Sequence, residues 1–316
     1  MVQRSLENRV PVILLYVLES KGSSPGRQGF FMALNASGEM EGSIGGGIME
    51  HKFVEMAKAG LATGTEVDDG LRKQYHDKSA VRDQSGMICS GEQTIWIYRL
   101  KPGDLPTINN LVSSLEQFQH GTLLLSPKSF AFEHTPPASD FTFTFVSESD
   151  WSYREKTGYK NQLYIIGGGH CALALSNIMR SMDFYIRVYD ERPGLKTMLS
   201  NESAHEKHFL ADYSQLTSLI PPGSHHYVVI MTFGYRTDDI ALRALVGKQF
   251  KYLGLLGSRN KIEKMFADYA NEGLDAKWLN SIHSPIGMGI RSQTPGEIAI
   301  SIAAEIIQVK NNPASA

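Results

Sequence analysis

Only two cysteines, Cys89 and Cys171, occur in the chain. That is too few for a disulfide framework, so reduced thiols and a cytoplasmic location are expected. No apolar run reaches the roughly 20 residues that span a bilayer. One segment imitates a targeting signal, Val10-Pro11-Val12-Ile13-Leu14-Leu15-Tyr16-Val17-Leu18, but Glu19-Ser20-Lys21 follows at once without a small-residue cleavage site. It reads as a buried strand, and no membrane partner is expected. Neither charge dominates: 31 Lys plus Arg stand against 33 Asp plus Glu, a net charge of −2. A nucleic-acid surface that works by neutralising phosphates is therefore not expected. Fixed-period repeats and low-complexity tracts are missing as well.

What remains is a folded composition of 316 residues, 42% apolar and 20% charged, with 29 Gly and 13 Pro. That length suits two domains, each with its own core. The first part reads as strand (Val12–Leu18), glycine-rich break, hairpin (Gly29–Leu34 returning through Met40–Ile44), then a helix over Ile48–Leu61. Thr94–Leu100 is expected to rejoin the same sheet. Leu105–Phe118 reads as a helix, and Gly121–Leu125 and Phe141–Val146 as strands. The alternation Phe141-Thr142-Phe143-Thr144-Phe145-Val146 predicts one buried aromatic face. The polar stretch Trp151–Tyr159 is where the domain boundary is placed, giving residues 1–157 and 158–316.

Beyond it, apolar runs at Gln162–Ile166, Tyr185–Tyr189, His226–Thr232 and Tyr252–Leu256 alternate with helical segments at Ala172–Arg180, Ile240–Val246, Lys261–Asn271 and Pro295–Val309. This is the pattern of an α/β doubly wound parallel sheet. The strongest motif opens it: Ile166-Gly167-Gly168-Gly169-His170-Cys171-Ala172, a G-x-G-x-x-A turn from strand to helix. Gly167 allows the tight turn, Gly169 admits a phosphate to the backbone, and Ala172 permits close helix packing. The helix start then favours an anion. Asp190 ends the next strand, about 20 residues on, where a carboxylate can accept ribose hydroxyls. Arg192 reads either as a bidentate phosphate holder or as a surface residue paired with Glu191 or Asp183.

A second glycine turn, Gly42-Ser43-Ile44-Gly45-Gly46-Gly47, enters the first long helix. Its glycines permit close approach of a ligand or of another backbone, and the Ser43 hydroxyl adds a polar group. Glu50 suits the helix dipole without any chemistry. Cys89, in Gly86-Met87-Ile88-Cys89-Ser90-Gly91-Glu92, is either a soft metal ligand or sulfur carrier, or simply a buried small residue. Cys171 is expected to fill a gap in the first helical turn. His205-x-x-His208 has no third ligand at a sensible spacing, and His225-His226 point to opposite faces of a strand, so zinc is not expected there.

These residues together resemble the xanthine dehydrogenase accessory (XdhC/CoxI) family. The resemblance runs through Gly22-Ser23-Ser24-Pro25, Gly29, Met32, the Gly42–Gly47 turn, Glu50, Cys89-x-Gly91-Glu92 and the Gly167–His170 loop. It continues through Asp190-x-Arg192-Pro193, Leu253-Gly254-Leu255-Leu256-Gly257-Ser258-Arg259, Pro285-Ile286-Gly287 and Thr294-Pro295-x-Glu297. It implies a C-terminal Rossmann-like domain behind a family-specific N-terminal α+β domain. It also implies a protein that binds the molybdenum cofactor (molybdopterin), protects it during sulfuration by a cysteine desulfurase, and delivers it to a xanthine dehydrogenase-type molybdoenzyme. Such a protein is a cofactor-binding chaperone rather than a turnover enzyme, and a homodimer.

Carried over by position, the ligand contacts are Ser43, Gly45, Gly46, Gly47, Gly167, Gly168, Gly169, His170, Asp190, Arg192 and Arg259, with Cys89 at the metal or relaying sulfur. Two positions depart from the family. Ser90 stands where Cys-Gly-Gly is common, and Thr232-Phe233 stands where Thr-His is common, which removes an imidazole donor. The competing reading is an NAD(P)-dependent oxidoreductase using the same Gly167, Gly169 and Asp190, with His170 or Tyr235 as proton donor.

Overall fold

Val12–Gly22 (β1) begins with seven successive apolar residues because both of its faces are covered. Val12, Leu14, Tyr16 and Leu18 join one core, and Ile13, Leu15 and Val17 join another. Side chains alternate across a strand, so two buried faces demand a continuous apolar run. The computed structural model describes residues 1–63, 70–75 and 91–312, and the chain divides into two units, Met1–Gly158 and Tyr159–Ala316.

In the first unit, Phe31–Asn35 (β2), Met40–Gly42 (β3), Gly70–Tyr75 (β4) and Gly91–Arg99 (β5) complete an antiparallel sheet with β1, in the order β3-β2-β1-β5-β4 among the described residues. One face packs on the helix Gly47–Thr63 through Ile44, Met49, Phe53, Val54 and Ala57. The other meets a second antiparallel sheet made by Gly121–Ser126 (β6), Ser129–Glu133 (β7), Phe141–Ser147 (β8) and Asp150–Thr157 (β9), in the order β7-β6-β9-β8. Leu123, Leu125, Trp151 and Tyr153 supply that contact, and Trp96 stands edge-on to Trp151 at 5.4 Å.

The stretch from Trp151 forms β9 between β6 and β8, with Trp151 and Tyr153 buried and the polar residues alternating outward. One expectation needs correction here. The aromatic face of β8 is only half covered. β8 lies at the sheet edge, and Phe145 keeps 42% exposure with the Lys73 ammonium 5.0 Å from its ring.

The second unit holds Asn161–Ile166 (β10), Phe184–Asp190 (β11), Glu206–Phe209 (β12), Gly223–Ile230 (β13) and Phe250–Leu255 (β14), all parallel, in the order β12-β11-β10-β13-β14. Each sheet face has its own core. Tyr164 and Ile166 pack with Leu242, Ile262 and Met265 on one side. Leu163 and Ile165 pack with Leu175, Met179, Ile302 and Ile306 on the other. The helices Tyr235–Arg243 and Arg259–Asn271 therefore cover one face, and His170–Met179 and Pro295–Asn311 the opposite one. This is a doubly wound sheet whose strand order reverses between β10 and β13. Among the described residues, no helix is long and apolar enough to cross a membrane.

Candidate functional site

Ligands in open parallel sheets bind beyond the carboxyl ends of the strands, where the order reverses. In this sheet the turn after β10 occupies that place. Gly167 adopts φ 103° and donates its N–H to the Tyr189 carbonyl at 2.7 Å. A Cβ on it would lie 2.3 Å from the Met231 carbonyl oxygen, so only glycine passes between β11 and β13. A Cβ on Gly168 would press on Met198 at 3.0 Å. Gly169 differs from both: a Cβ there meets nothing within 4 Å, and its φ of −73° suits any residue. Protein packing thus does not require glycine at 169, and the backbone is open to an approaching group. His170 is exposed at the helix start, whereas Ala172 is buried where the helix meets the sheet. Cys171 is half-buried against the same core, and burial pushes its thiol pKa up.

Asp190 serves this loop differently from the expectation. It is 0% exposed, so a ribose hydroxyl does not reach it. Its Oδ2 accepts from the Gly168 N–H at 2.7 Å and from Arg192 Nη2 at 2.7 Å. Its Oδ1 accepts from the Arg192 backbone N–H and from Nε, both at 2.8 Å. Burial alone would raise a carboxylate's pKa, but these donors hold it below the ordinary value. Arg192 is therefore committed to Asp190, not to Glu191 or Asp183. Glu191 instead accepts from the Tyr213 N–H at 2.9 Å, and Asp183 ends its helix in the left-handed region at φ 56°. The partly exposed guanidinium of Arg192 lies 5.7 Å from the centre of the Phe233 ring.

The neighbouring strand ends carry a second buried carboxylate, one of the Asp238-Asp239 pair that the family resemblance retains but to which it assigns no contact. Asp238 is 0% exposed. Its Oδ1 accepts from Thr232 N–H at 3.1 Å and Thr232 Oγ1 at 2.6 Å, and its Oδ2 pairs with the Lys261 ammonium. Lys261 also donates to the Leu256 carbonyl at 3.3 Å. The pair ties the ends of β13 and β14 together across a long sequence separation that no local motif signals. Arg259, by contrast, is exposed at the start of its helix, where Ser258 Oγ accepts from the Lys261 N–H at 3.4 Å. Gly167–His170, Asp190–Arg192, Thr232-Phe233 and Ser258-Arg259 thus follow four parallel strands on one edge of the sheet.

In the first unit, Gly42, Gly45, Gly46 and Gly47 all adopt positive φ, between 74° and 124°. The close backbone approach belongs to the chain itself, because a Cβ on Gly45 would sit 2.3 Å from the Gly26 nitrogen. Glu50 does more than suit the helix dipole. Its Oε2 accepts from Ser43 Oγ at 2.7 Å and from the N–H groups of Ile44 and Gly46 at 2.9 Å each, while Ser43 Oγ accepts from Gly45 N–H at 3.1 Å. Partial burial would raise the Glu50 pKa, but Ser43 and these N–H groups hold it below the ordinary value. The donors of Ser43 and the glycine turn are therefore served by an internal carboxylate. Cys89 and Ser90 lie outside the described residues.

Among the described residues, no group of three His, Cys, Asp or Glu side chains is arranged to hold a metal ion. His205 Nδ1 accepts from the Ile186 N–H at 2.9 Å, and its Nε2 meets Arg180; His208 Nε2 faces Glu206 at 2.7 Å. His226 Nδ1 faces the Pro221 carbonyl at 2.8 Å.

Comparison with known proteins agrees with this architecture. Residues 163–306 match the model of the XdhC Rossmann domain, and residues 5–72 match that of the XdhC and CoxI family. The uncharacterized protein YqeB of Escherichia coli (strain K12) is 26% identical over 312 residues, covering 97% of this chain but 45% of its own length. A probable xanthine dehydrogenase subunit from Bacillus subtilis (strain 168) is 24% identical over 336 residues, covering 99% and 98%. The same fold occurs in a crystal structure described as a xanthine dehydrogenase from Bacillus halodurans. Its TM-score is 0.71 at 20% identity, over 100% of this chain and 97% of that one. Two family models lying in register on the two units, the second spanning the glycine loop, Asp190 and Asp238, place this chain in the XdhC and CoxI family.

Proposed function

We propose that the chain is an accessory protein of a xanthine dehydrogenase-type molybdoenzyme, and that it holds the molybdenum cofactor before delivery. In this reading a cysteine desulfurase supplies sulfur to the held cofactor, and the protein acts as a cytoplasmic homodimer with no net turnover of its own. The single observation that carries the binding role is the open backbone at Gly169, followed by exposed His170 at the start of a ten-residue helix. Helix-start N–H groups favour a phosphate such as the one borne by molybdopterin. Gly169 and His170 would hold that phosphate, and Arg259 adds a cation on the same edge. When bound, the cofactor brings a dithiolene-held metal, whose chemistry is used by the recipient enzyme.

The arrangement gives Asp190 and Arg192 a supporting part, fixing Gly168 instead of touching a ribose. A ligand at Ser43 and Gly45–Gly47 would have to displace Glu50, so the phosphate is assigned to the second unit. Cys89 remains our candidate for the metal or its sulfur, and Cys89→Ser should lower cofactor retention.

Oxidising a denatured extract of protein purified from molybdenum-replete cells tests this reading. A fluorescent pterin in near-stoichiometric yield is expected, and protein free of pterin contradicts the reading. Two observations weigh against the oxidoreductase alternative. Asp190 is sealed from solvent, and the Tyr235 hydroxyl is engaged in donating to Asp268 at 2.9 Å. Titration with NADH should accordingly show neither tight binding nor hydride transfer.

A further inference from the structure

Phe233 is 88% exposed, the most exposed large apolar side chain among the described residues. Full exposure of a phenyl ring forgoes the roughly 1.5–3 kcal/mol that burial would return, and the surrounding fold makes no use of it as a core residue. Nor is its position a matter of loose backbone. On one side Thr232 is tied through both N–H and Oγ1 to buried Asp238; on the other, Gly234 N–H donates to Thr237 Oγ1 at 3.2 Å. One neighbour of the ring is also fixed, since the Arg192 guanidinium 5.7 Å from its centre is held by two bonds to Asp190, and the Arg192 backbone N–H adds a third. An aromatic ring on a hydrogen-bonded stretch of backbone thus stands on the strand-end edge that carries Gly167–His170, with a cation 5.7 Å from its centre and most of its surface open to water.

We propose that Phe233, backed by Arg192, is the stacking platform for the flat nitrogen heterocycle of a phosphate-bearing ligand. The inference rests on the reading that this edge holds such a ligand, and it names the group that recognises the ring instead of the phosphate. Aromatic side chains stack on planar heterocycles through offset faces, and a cation against the ring adds to the attraction. Pterins and adenine share this chemistry.

The test titrates full-length wild type, Phe233→Ala and Phe233→Trp with three probes: the phosphorylated pterin released by oxidising the molybdenum cofactor, AMP, and ribose 5-phosphate, which has no ring. Because the side chain is exposed, thermal melts of the three proteins should coincide. Phe233→Ala should weaken the ring-bearing probe roughly tenfold, the scale of one stacked base. Phe233→Trp should hold it as tightly as wild type, and ribose 5-phosphate should not distinguish the proteins. Whether pterin or AMP shows the loss identifies the heterocycle. Unchanged binding of ring-bearing probes to Phe233→Ala overturns the platform and leaves the phosphate reading standing. If wild type binds none of the probes, that reading falls and the platform falls with it.

Discussion

The Gly168 N–H donates to Asp190 Oδ2 at 2.7 Å, and the same oxygen accepts from Arg192 Nη2 at 2.7 Å. A carboxylate in the usual ribose-binding position is here turned inward, and it fixes the glycine loop on which a phosphate would rest. Removing it leaves the Gly168 N–H without its acceptor in a closed environment. Asp190→Ala should therefore lower stability by about 2–3 kcal/mol, the scale of hydrogen bonds to a charged group. Urea unfolding measures this. A loss well under 1 kcal/mol would mean that the loop does not depend on Asp190.

The Glu50 carboxylate closes the other glycine turn in the same manner. Glu50→Ala should cost about 1–2 kcal/mol by leaving the N–H groups of Ile44 and Gly46 to water. The wild-type contribution also depends on pH. A folded pKa held below the unfolded one gives stability that is present above the unfolded value and lost as pH falls through the folded one. Unfolding curves of wild type and Glu50→Ala should accordingly differ at pH 7 and converge in strong acid. A gap that stays constant down to pH 2 would contradict the assignment.

His205 gives the opposite chemistry but the same sign. Burial, with Arg180 and Arg187 nearby, depresses its pKa to about 4. The unfolded chain then binds a proton that the fold refuses between the ordinary histidine value of about 6.5 and that lower value. Stability should fall on acidification through this window. His205→Asn, which keeps an acceptor for the Ile186 N–H, should flatten that part of the curve, as urea midpoints at pH 7 and pH 5 would reveal. Equal slopes for both proteins would remove His205 from the acid response.

Much of this was written in the residues themselves, for physical reasons. β1 was legible because two covered faces force an unbroken apolar run, and β10 because a buried parallel strand runs straight into its glycines. β12 was not legible: Glu206–Phe209 lies at a sheet edge, where Glu206 pairs with Arg187 and His208 and the local sequence is polar. β9 was hidden by its outward-facing Ser152, Arg154 and Lys156. At the site, the turn at Gly167 could be placed by its motif. The partners of Asp190, Glu50 and Asp238 could not, because a side chain that folds back on its own loop or reaches Lys261 on another helix leaves no periodic signature.

Gly169 separates folding from binding most cleanly. Its backbone is extended and nothing crowds its Cβ position, and Asp is a preferred helix N-cap. Gly169→Asp should keep or slightly raise the melting temperature, yet it sets a negative charge where a phosphate is proposed to lie. Pterin content of purified wild type and Gly169→Asp, measured side by side after oxidation, is the most direct test of the central claim. The account predicts pterin in the wild type and its loss, by tenfold or more, from an equally stable variant. Equal pterin in both proteins would contradict it.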